Sequence, residues 1–197
     1  MDKLKALSNV LKKKKFEVEI FKTGESAKDK ACKIIKDNIV GHGSSVTLDQ
    51  IGLLKEIDKF AKKVYPHIAG KSGEDERNSL IADYYLTSAN AISMDGHIVN
   101  IDGTGNRVAA TCFGPQNIIY FIGKNKITES LDDALLRAKE TAVKIAKKLN
   151  RKTPCAITGK CEDCLSPECI CAITTIHRKK PSGINIHIFL INENLGI

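Results

Sequence analysis

The sequence has no tryptophan and only 5% aromatic residues, so aliphatic side chains must fill its core. Long apolar runs are also missing. The longest uninterrupted stretch is Ile118–Ile122, whereas a membrane-spanning helix needs about 20 apolar residues. The lysine-rich segment Met1–Lys15 is not followed by a long apolar block, which argues against a secretory signal. We therefore expect a cytoplasmic protein that does not have a membrane as a partner.

The 197 residues, 42% of them hydrophobic, are enough for one domain with a packed core. Lysine and arginine number 31 against 23 acidic residues, which gives a formal charge of +8. Much of this charge lies in residues 1–15, where Leu4, Leu7 and Leu11 recur at helical spacing and predict an amphipathic helix with a solvated lysine face. Because the basic stretches do not alternate with stacking aromatic residues, nucleic acid is not an expected partner.

Strand and helix patterns alternate along the chain. Phe16, Val18 and Ile20 alternate with acidic residues and predict a strand, and Glu25–Asn38 follows with a helical apolar face. Asn117–Ile122 is typical of a buried strand, and Ser130 with Asp133 marks the start of a helix that runs to about Leu149. This alternation predicts a single α/β domain with a mainly parallel sheet and some antiparallel strands.

Three further elements are predicted from local patterns. Thr47 and Gln50 have capping-box spacing, and the apolar stripe after them predicts a helix that reaches Val64. Met94-Asp95-Gly96 is a plausible hairpin turn between two apolar runs. At the C-terminal side, Ala172–His177 and Ile184–Asn192 flank a Pro-Ser-Gly turn and predict a strand hairpin.

A first candidate binding segment is Gly43-Ser44-Ser45-Val46-Thr47, at a strand-to-helix junction. Amides at a helix start point towards an anion, and the hydroxyls of Ser44, Ser45 and Thr47 add donors. The segment lacks the Gly-Lys-Ser/Thr ending of a P-loop and the third glycine of a dinucleotide fingerprint, so there is no nucleotide motif. The alternative interpretation is an ordinary capped helix start.

A second candidate is the loop Asp102–Arg107, which follows an apolar strand. Ligands usually bind at the carboxyl ends of strands in α/β sheets. Asp102 supplies a carboxylate there and Arg107 a planar guanidinium that can bind carboxylate or phosphate, so these two residues are the candidate catalytic pair. The alternative is a tight turn with a local ion pair. Further ligand-binding candidates in the same cleft are Ser88, Asn90, Gly103, Thr104, Gly105, Asn106, Lys124 and Lys126.

Five of the seven cysteines fall in the segment 153–171. Clustering without a secretory signal favours metal or redox chemistry over a disulfide framework. Four thiolates suit tetrahedral zinc or an iron–sulfur cluster, and free thiols and a redox switch stay open as alternatives. Cys32 and Cys112 lie in apolar helical contexts and are predicted to be core residues. The predicted metal ligands are Cys155, Cys161, Cys164 and Cys171.

Taken together, these motifs resemble the LUD (lactate-utilization) domain family. The matching segments are SSVTLDQIGLL at Ser44–Leu54, LTSANAISMDGHIVNIDGTGNRVAA at Leu86–Ala110, FGP at Phe113–Pro115, GKNKI at Gly123–Ile127, TPCAITGKCEDCLSPECIC at Thr153–Cys171 and the pair Leu195-Gly196. Two features depart from the pattern: the segment Lys139–Leu149 lacks the Pro-Asn dipeptide of many relatives, and Cys169 stands where they often have a charged residue. The second departure predicts that Cys169 is not a metal ligand.

The resemblance implies a single three-layer Rossmann-like domain over residues 1–197, shared with ribose-phosphate isomerases, glucosamine-phosphate deaminases and CoA transferases. It also implies a small-anion site, and a role in L-lactate or 2-hydroxy acid oxidation with iron–sulfur partner subunits. The iron–sulfur cluster is preferred over zinc on this basis. Whether the chain is itself an enzyme, a substrate-binding accessory or a cluster-carrying subunit stays open, as does a homo-oligomer. The residues that would inherit the anion site are Ser44, Ser45, Thr47, Asp102, Gly103, Thr104, Asn106, Arg107 and Lys126.

Overall fold

The computed structural model describes residues 1–67 and 73–197. The helices are α1 Asp2–Lys13, α2 Gly24–Ile34, α3 Val46–Gln50, α4 Leu53–Glu56, α5 Glu74–Asn78, α6 Asn106–Cys112, α7 Leu131–Lys148 and α8 Pro154–Thr158. The strands are β1 Glu17–Phe21, β2 Ile39–His42, β3 Lys63–Pro66, β4 Tyr84–Thr87, β5 Ala91–Ser93, β6 Ile98–Asp102, β7 Asn117–Gly123, β8 Ile127–Thr128, β9 Ile173–His177 and β10 Asn185–Ile191. Within these ranges, no helix is long and apolar enough to cross a bilayer.

Six strands form a parallel sheet in the order β1-β10-β7-β4-β2-β3. Its central strand β7 is buried on both faces, because successive side chains point to opposite sides. Ile118 and Tyr120 pack with α1, while Ile119 and Phe121 pack with α2 and α3. The predicted α/β architecture with a mainly parallel sheet is confirmed.

A second sheet, β8-β5-β6-β9, lies beyond the first on the α1 side. Its β5–β6 pair is antiparallel and forms the predicted hairpin around Met94-Asp95-Gly96. The outer face of this sheet packs against a row of alanines on α7, among them Ala134 and Ala138. Small side chains let the helix approach closely, and the predicted Ser130–Asp133 capping box fixes where α7 begins.

The predicted amphipathic helix at the start of the chain is confirmed as α1. Leu4, Leu7 and Leu11 are buried against the first sheet, and the lysines between them face solvent. This burial is what holds α1 in place, since a helix of this length has little stability alone. Lys3, Lys5, Lys12 and Lys13 therefore belong to the outer face of an ordinary packed helix, and Lys14 and Lys15 follow its end.

The predicted C-terminal hairpin is wrong, because β9 and β10 lie in different sheets. Strand β10 is almost wholly apolar and is inserted between β1 and β7, where both faces are covered. Strand β9 is polar and half-exposed, and it forms the edge of the small sheet. The turn between them thus connects two sheets rather than two paired strands.

The predicted helix from Thr47 to Val64 is also wrong. Its first turn ends at Ile51, and Gly52 adopts φ +74°, a left-handed conformation that interrupts the helix. Val64 lies in β3 instead. The helix cap is Ser45, whose Oγ accepts a hydrogen bond from the Leu48 amide at 3.4 Å, and not the Thr47–Gln50 pair.

Of the two cysteines predicted to be core residues, Cys32 is buried in α2 as expected. Cys112 is exposed, because α6 ends there and turns its last residue away from the core.

Candidate functional site

The carboxyl ends of the parallel strands collect the polar residues that the sequence singles out. Thr47 follows β2, Ser88 follows β4 and Lys126 follows β7. These strands are neighbours in the order β7-β4-β2, so their following loops meet at one edge of the sheet. This edge is where α/β proteins bind ligands, because the loops and helix starts there converge.

Lys126 is at the centre of this edge, and its side chain is 5% exposed. Its Nζ donates to Ser88 Oγ at 2.8 Å and to Thr47 Oγ1 at 3.0 Å. The Ser88 hydroxyl in turn donates to the Phe121 carbonyl at 2.6 Å, and Thr47 Oγ1 donates to Ser88 Oγ at 3.3 Å. Three side chains from three loops therefore form one buried hydrogen-bonded cluster, which we call the lysine cluster.

The electrostatic surroundings of Lys126 disfavour its charged form. Burial, which is the largest cause, and the nearby positive charges of Arg137 and Arg107 together lower the pKa of the ammonium to about 7 from its ordinary 10.5. Among the described residues, no carboxylate pairs with Nζ. A buried lysine that has two hydroxyls but no anion beside it is costly for the fold, and such groups cluster at functional sites.

Hydrogen bonds from Arg107 hold the second candidate loop, Asp102–Arg107, in place. Its Nη1 donates to Asn100 Oδ1 at 2.6 Å, and its Nη2 donates to Asn90 Oδ1 at 3.0 Å and to the Ile101 carbonyl. Its Nε lies 3.6 Å from Asp102 Oδ2. The guanidinium is thus bonded to protein acceptors on every side, and it orders the loop while adding positive charge beneath the lysine cluster.

Asp102 serves mainly to shape its own loop. Its Oδ1 accepts hydrogen bonds from the amides of Thr104 and Gly105 at 3.0 and 2.9 Å, and these bonds close the turn before α6. Gly105 adopts φ +95° at that turn. A side chain on Gly103 would lie 2.8 Å from the backbone of Ile170, so only glycine allows the cysteine segment to approach this loop.

The predicted site residues fall into three groups. Thr47, Ser88 and Lys126 are in direct contact, and Asn90, Asp102 and Arg107 form a layer beneath them. The two candidate loops do share one edge, since a side chain on Gly43 would lie 3.3 Å from Arg107 Cδ. The remaining predicted residues, which also have no hydrogen bond to the lysine cluster in the described structure, are Ser44, Ser45, Gly103, Thr104, Gly105, Asn106 and Lys124.

Two residues that border the lysine cluster were not predicted as site residues. Arg137 of α7 donates to the backbone oxygens of Asn125, Asn90 and Ile197. Gly196 lies directly on the cluster: a side chain there would come within 2.5 Å of Thr47 Oγ1 and 2.7 Å of Lys126 Nζ. An arginine within an otherwise ordinary amphipathic helix gives no local signal of a site. The Leu195-Gly196 pair carries a signal only as part of the family pattern.

The cysteine segment packs beside this edge and lines, together with residues of α7, a cavity of about 170 Å³. All five of its cysteines line the cavity, Cys169 included. Burial raises the pKa of the Cys171 thiol, and Cys169, Cys161 and Cys164 raise it further, so these sulfurs are close enough to interact. As arranged, however, no three metal-binding side chains within residues 1–67 and 73–197 form a group that could hold a metal ion.

Comparison with known proteins gives a clear family assignment. A family model described as the LUD domain matches residues 4–191. The fold is similar to the crystal structure of a DUF162 family protein from Deinococcus radiodurans, with a TM-score of 0.55, 12% sequence identity and 96% of each chain covered. At that identity the likeness shows the fold alone. No curated protein matches. Since the family model covers nearly all of the sequence, this chain belongs to the LUD domain family.

Proposed function

We propose that this lactate-utilization-type protein binds a small carboxylate or phosphate at the lysine cluster. The observation that carries the proposal is the buried ammonium of Lys126, which is surrounded by the positive charges of Arg107 and Arg137 and has hydroxyl partners only. A protonated lysine has three N–H donors, and Thr47 and Ser88 accept two. An anion supplies the third acceptor and the opposite charge.

A purely structural lysine fits these observations poorly. Buried charges in folded proteins are normally paired, because an unpaired one costs several kcal/mol. The carboxylate of Asp102 is paired with Arg107 and accepts hydrogen bonds from two backbone amides. Among the described residues, Lys126 Nζ therefore has no carboxylate partner, and a bound anion supplies one.

The ligand-binding roles follow from these contacts. Lys126 supplies the charge, Thr47 and Ser88 orient its Nζ, and Arg107 with Asp102 holds the neighbouring loop in position. We assign positioning rather than direct chemistry to Arg107, because its N–H groups already have protein acceptors. In this role the protein is a substrate-binding component of L-lactate or 2-hydroxy acid oxidation, acting with iron–sulfur partner subunits.

Calorimetric titration with L-lactate and with sulfate tests the proposal. Lys126→Met should weaken binding by at least 30-fold, since loss of a charged partner of a buried anion costs about 2–5 kcal/mol. Lys13→Met is the matched control, because Lys13 is an exposed residue of α1, and its binding should equal that of the wild type. Equal affinities of the two variants contradict the proposal.

A second candidate function rests on the shared cavity of the five cysteines. We propose that Cys155, Cys161, Cys164 and Cys171 hold zinc or an iron–sulfur cluster after a local rearrangement of their loop. Thiolates suit either centre, and an iron–sulfur cluster would supply electron transfer. Metal analysis and visible absorption of anaerobically purified protein test it. Protein that is free of iron and zinc, with all five thiols rapidly alkylated, contradicts it.

A further inference from the structure

The hydrogen bonds around Lys126 fix where its two hydroxyl partners point their own protons. Ser88 Oγ donates to the Phe121 carbonyl at 2.6 Å, and Thr47 Oγ1 donates to Ser88 Oγ. Each hydroxyl has a single proton, so neither can donate to Nζ. Nζ must therefore be the donor in both contacts, at 2.8 and 3.0 Å.

When no anion is bound, this arrangement suits a neutral amine. An uncharged lysine has two N–H groups and one lone pair, and the two hydroxyls accept both hydrogens. The lone pair then has no hydrogen-bond donor within the described part of the chain. A lone pair held in one direction, in a buried position, is what a nucleophilic amine needs.

The charges that face Nζ favour the neutral form. Arg137 approaches from α7 and Arg107 from α6, whereas the loops after β2 and β4 contribute only hydroxyls. These guanidiniums and the loss of water lower the pKa of Lys126 to about 7. Desolvation beside another cation is a general way to activate a lysine. At neutral pH about half of such a residue is neutral, against roughly one part in a thousand or fewer for an exposed lysine.

We infer that Lys126 is a nucleophilic lysine that forms an imine with a small carbonyl compound carrying an anionic group, such as a 2-oxo acid or an acidic aldehyde. The inference rests on the proposed function, because the anionic group is what brings the ligand to the cluster. The nitrogen lone pair attacks the carbonyl carbon, and the carbonyl π electrons move to oxygen. One C–N double bond replaces the C–O double bond, two N–H protons leave with that oxygen as water, and no oxidant or reductant is consumed.

Gly196 gives this amine a shielded position. A side chain at residue 196 would lie 2.7 Å from Nζ, so the peptide backbone packs directly against the amine. Gly196 N is held by Gln50 Oε1 at 2.6 Å, and Leu195 N by Asn125 Oδ1 at 3.0 Å. This segment keeps water from the lysine and must shift when a carbonyl compound enters.

Reductive trapping tests the inference. Full-length protein is incubated with glyoxylate and cyanoborohydride at pH 7, and the labelled lysines are identified by peptide mass spectrometry. Lys126 should be labelled at least ten-fold faster than the exposed Lys13, and L-lactate should slow the labelling of Lys126 alone. Mapping the wild-type protein makes the result independent of whether a Lys126 variant folds. Lys126→Met should lose the fast phase and keep the slow surface labelling.

Two outcomes separate this inference from the function on which it rests. If L-lactate binds in a titration while Lys126 is labelled no faster than Lys13, the imine is refuted and the anion site stands. If neither L-lactate nor sulfate binds, the anion site is refuted. If Lys126 is then still labelled fast, and neither anion slows its labelling, the inference that the carbonyl compound needs an anionic group is overturned.

Discussion

Replacing Lys126 by methionine should stabilise the protein, although it removes the central group of the proposed site. Methionine fills a similar volume without charge, so the variant no longer buries an ammonium. Burial and the two neighbouring arginines lower the pKa of Lys126 from 10.5 to about 7. A shift of that size corresponds to a cost of about 4–5 kcal/mol at acidic pH, which the methionine variant avoids.

The sign of the pH dependence follows from proton binding. Between pH 7 and 10.5 the unfolded chain keeps its proton on Lys126 and the folded chain has lost it, so raising the pH favours the folded state. The wild-type protein should therefore gain roughly 2–3 kcal/mol of stability from this residue between pH 6 and pH 9. The advantage of the methionine variant should shrink by the same amount.

Urea unfolding of both proteins, followed by circular dichroism at pH 6, 7.5 and 9, measures this difference directly. The comparison cancels the titration of every group that the two proteins share. Lys13→Met is the control and should differ from the wild type by the same small amount at each pH, since Lys13 is exposed. A Lys126→Met variant that is less stable by a pH-independent margin would refute the account of a buried, uncompensated ammonium.

Three further predictions follow from the neighbouring contacts. Arg107→Lys should lower the free energy of unfolding in urea by about 2–4 kcal/mol, because an ammonium cannot replace the guanidinium hydrogen bonds and leaves buried acceptors without donors. A loss below about 0.5 kcal/mol would contradict the role of Arg107 in holding its loop. Gly196→Ala should lose about 1–2 kcal/mol and expose Lys126 to faster labelling, since residue 196 has φ +77° and lies against Thr47; unchanged labelling counts against the shielding role. Thiols of the cysteine segment 153–171 should resist alkylation in anaerobically purified protein until a chelator is added, and rapid alkylation without chelator opposes a metal centre.

The elements with long, regular patterns were predictable from sequence. The apolar face of α1 and the capping box of α7 each fix a helix, and the continuous apolar run of β7 fixes a central strand. The second sheet was not predictable as a sheet, because β5 has three residues and β8 has two, too few for any periodicity. Its existence depends on burial against α7, which is a tertiary effect.

The candidate site was predictable in position but not in detail. Thr47, Ser88 and Lys126 could be named because they follow strands, and the parallel order of those strands brings them together. The hydrogen-bond partners of Arg107 could not be predicted, because its acceptors belong to residues up to 19 positions away in sequence. Gly196 was equally hidden, because only the folded chain shows that its backbone covers Lys126.

The affinity for L-lactate as a function of pH tests the central claim most directly. The carboxylate keeps its charge between pH 6 and pH 9, so any change in affinity comes from the protein. If Lys126 binds the anion in its protonated form, calorimetric titration should show nearly constant affinity below pH 7 and a fall of up to about tenfold per pH unit above it. The Lys126→Met variant should bind weakly at every pH. Wild-type affinity that stays level from pH 6 to pH 9, or no binding at either end, would contradict the claim.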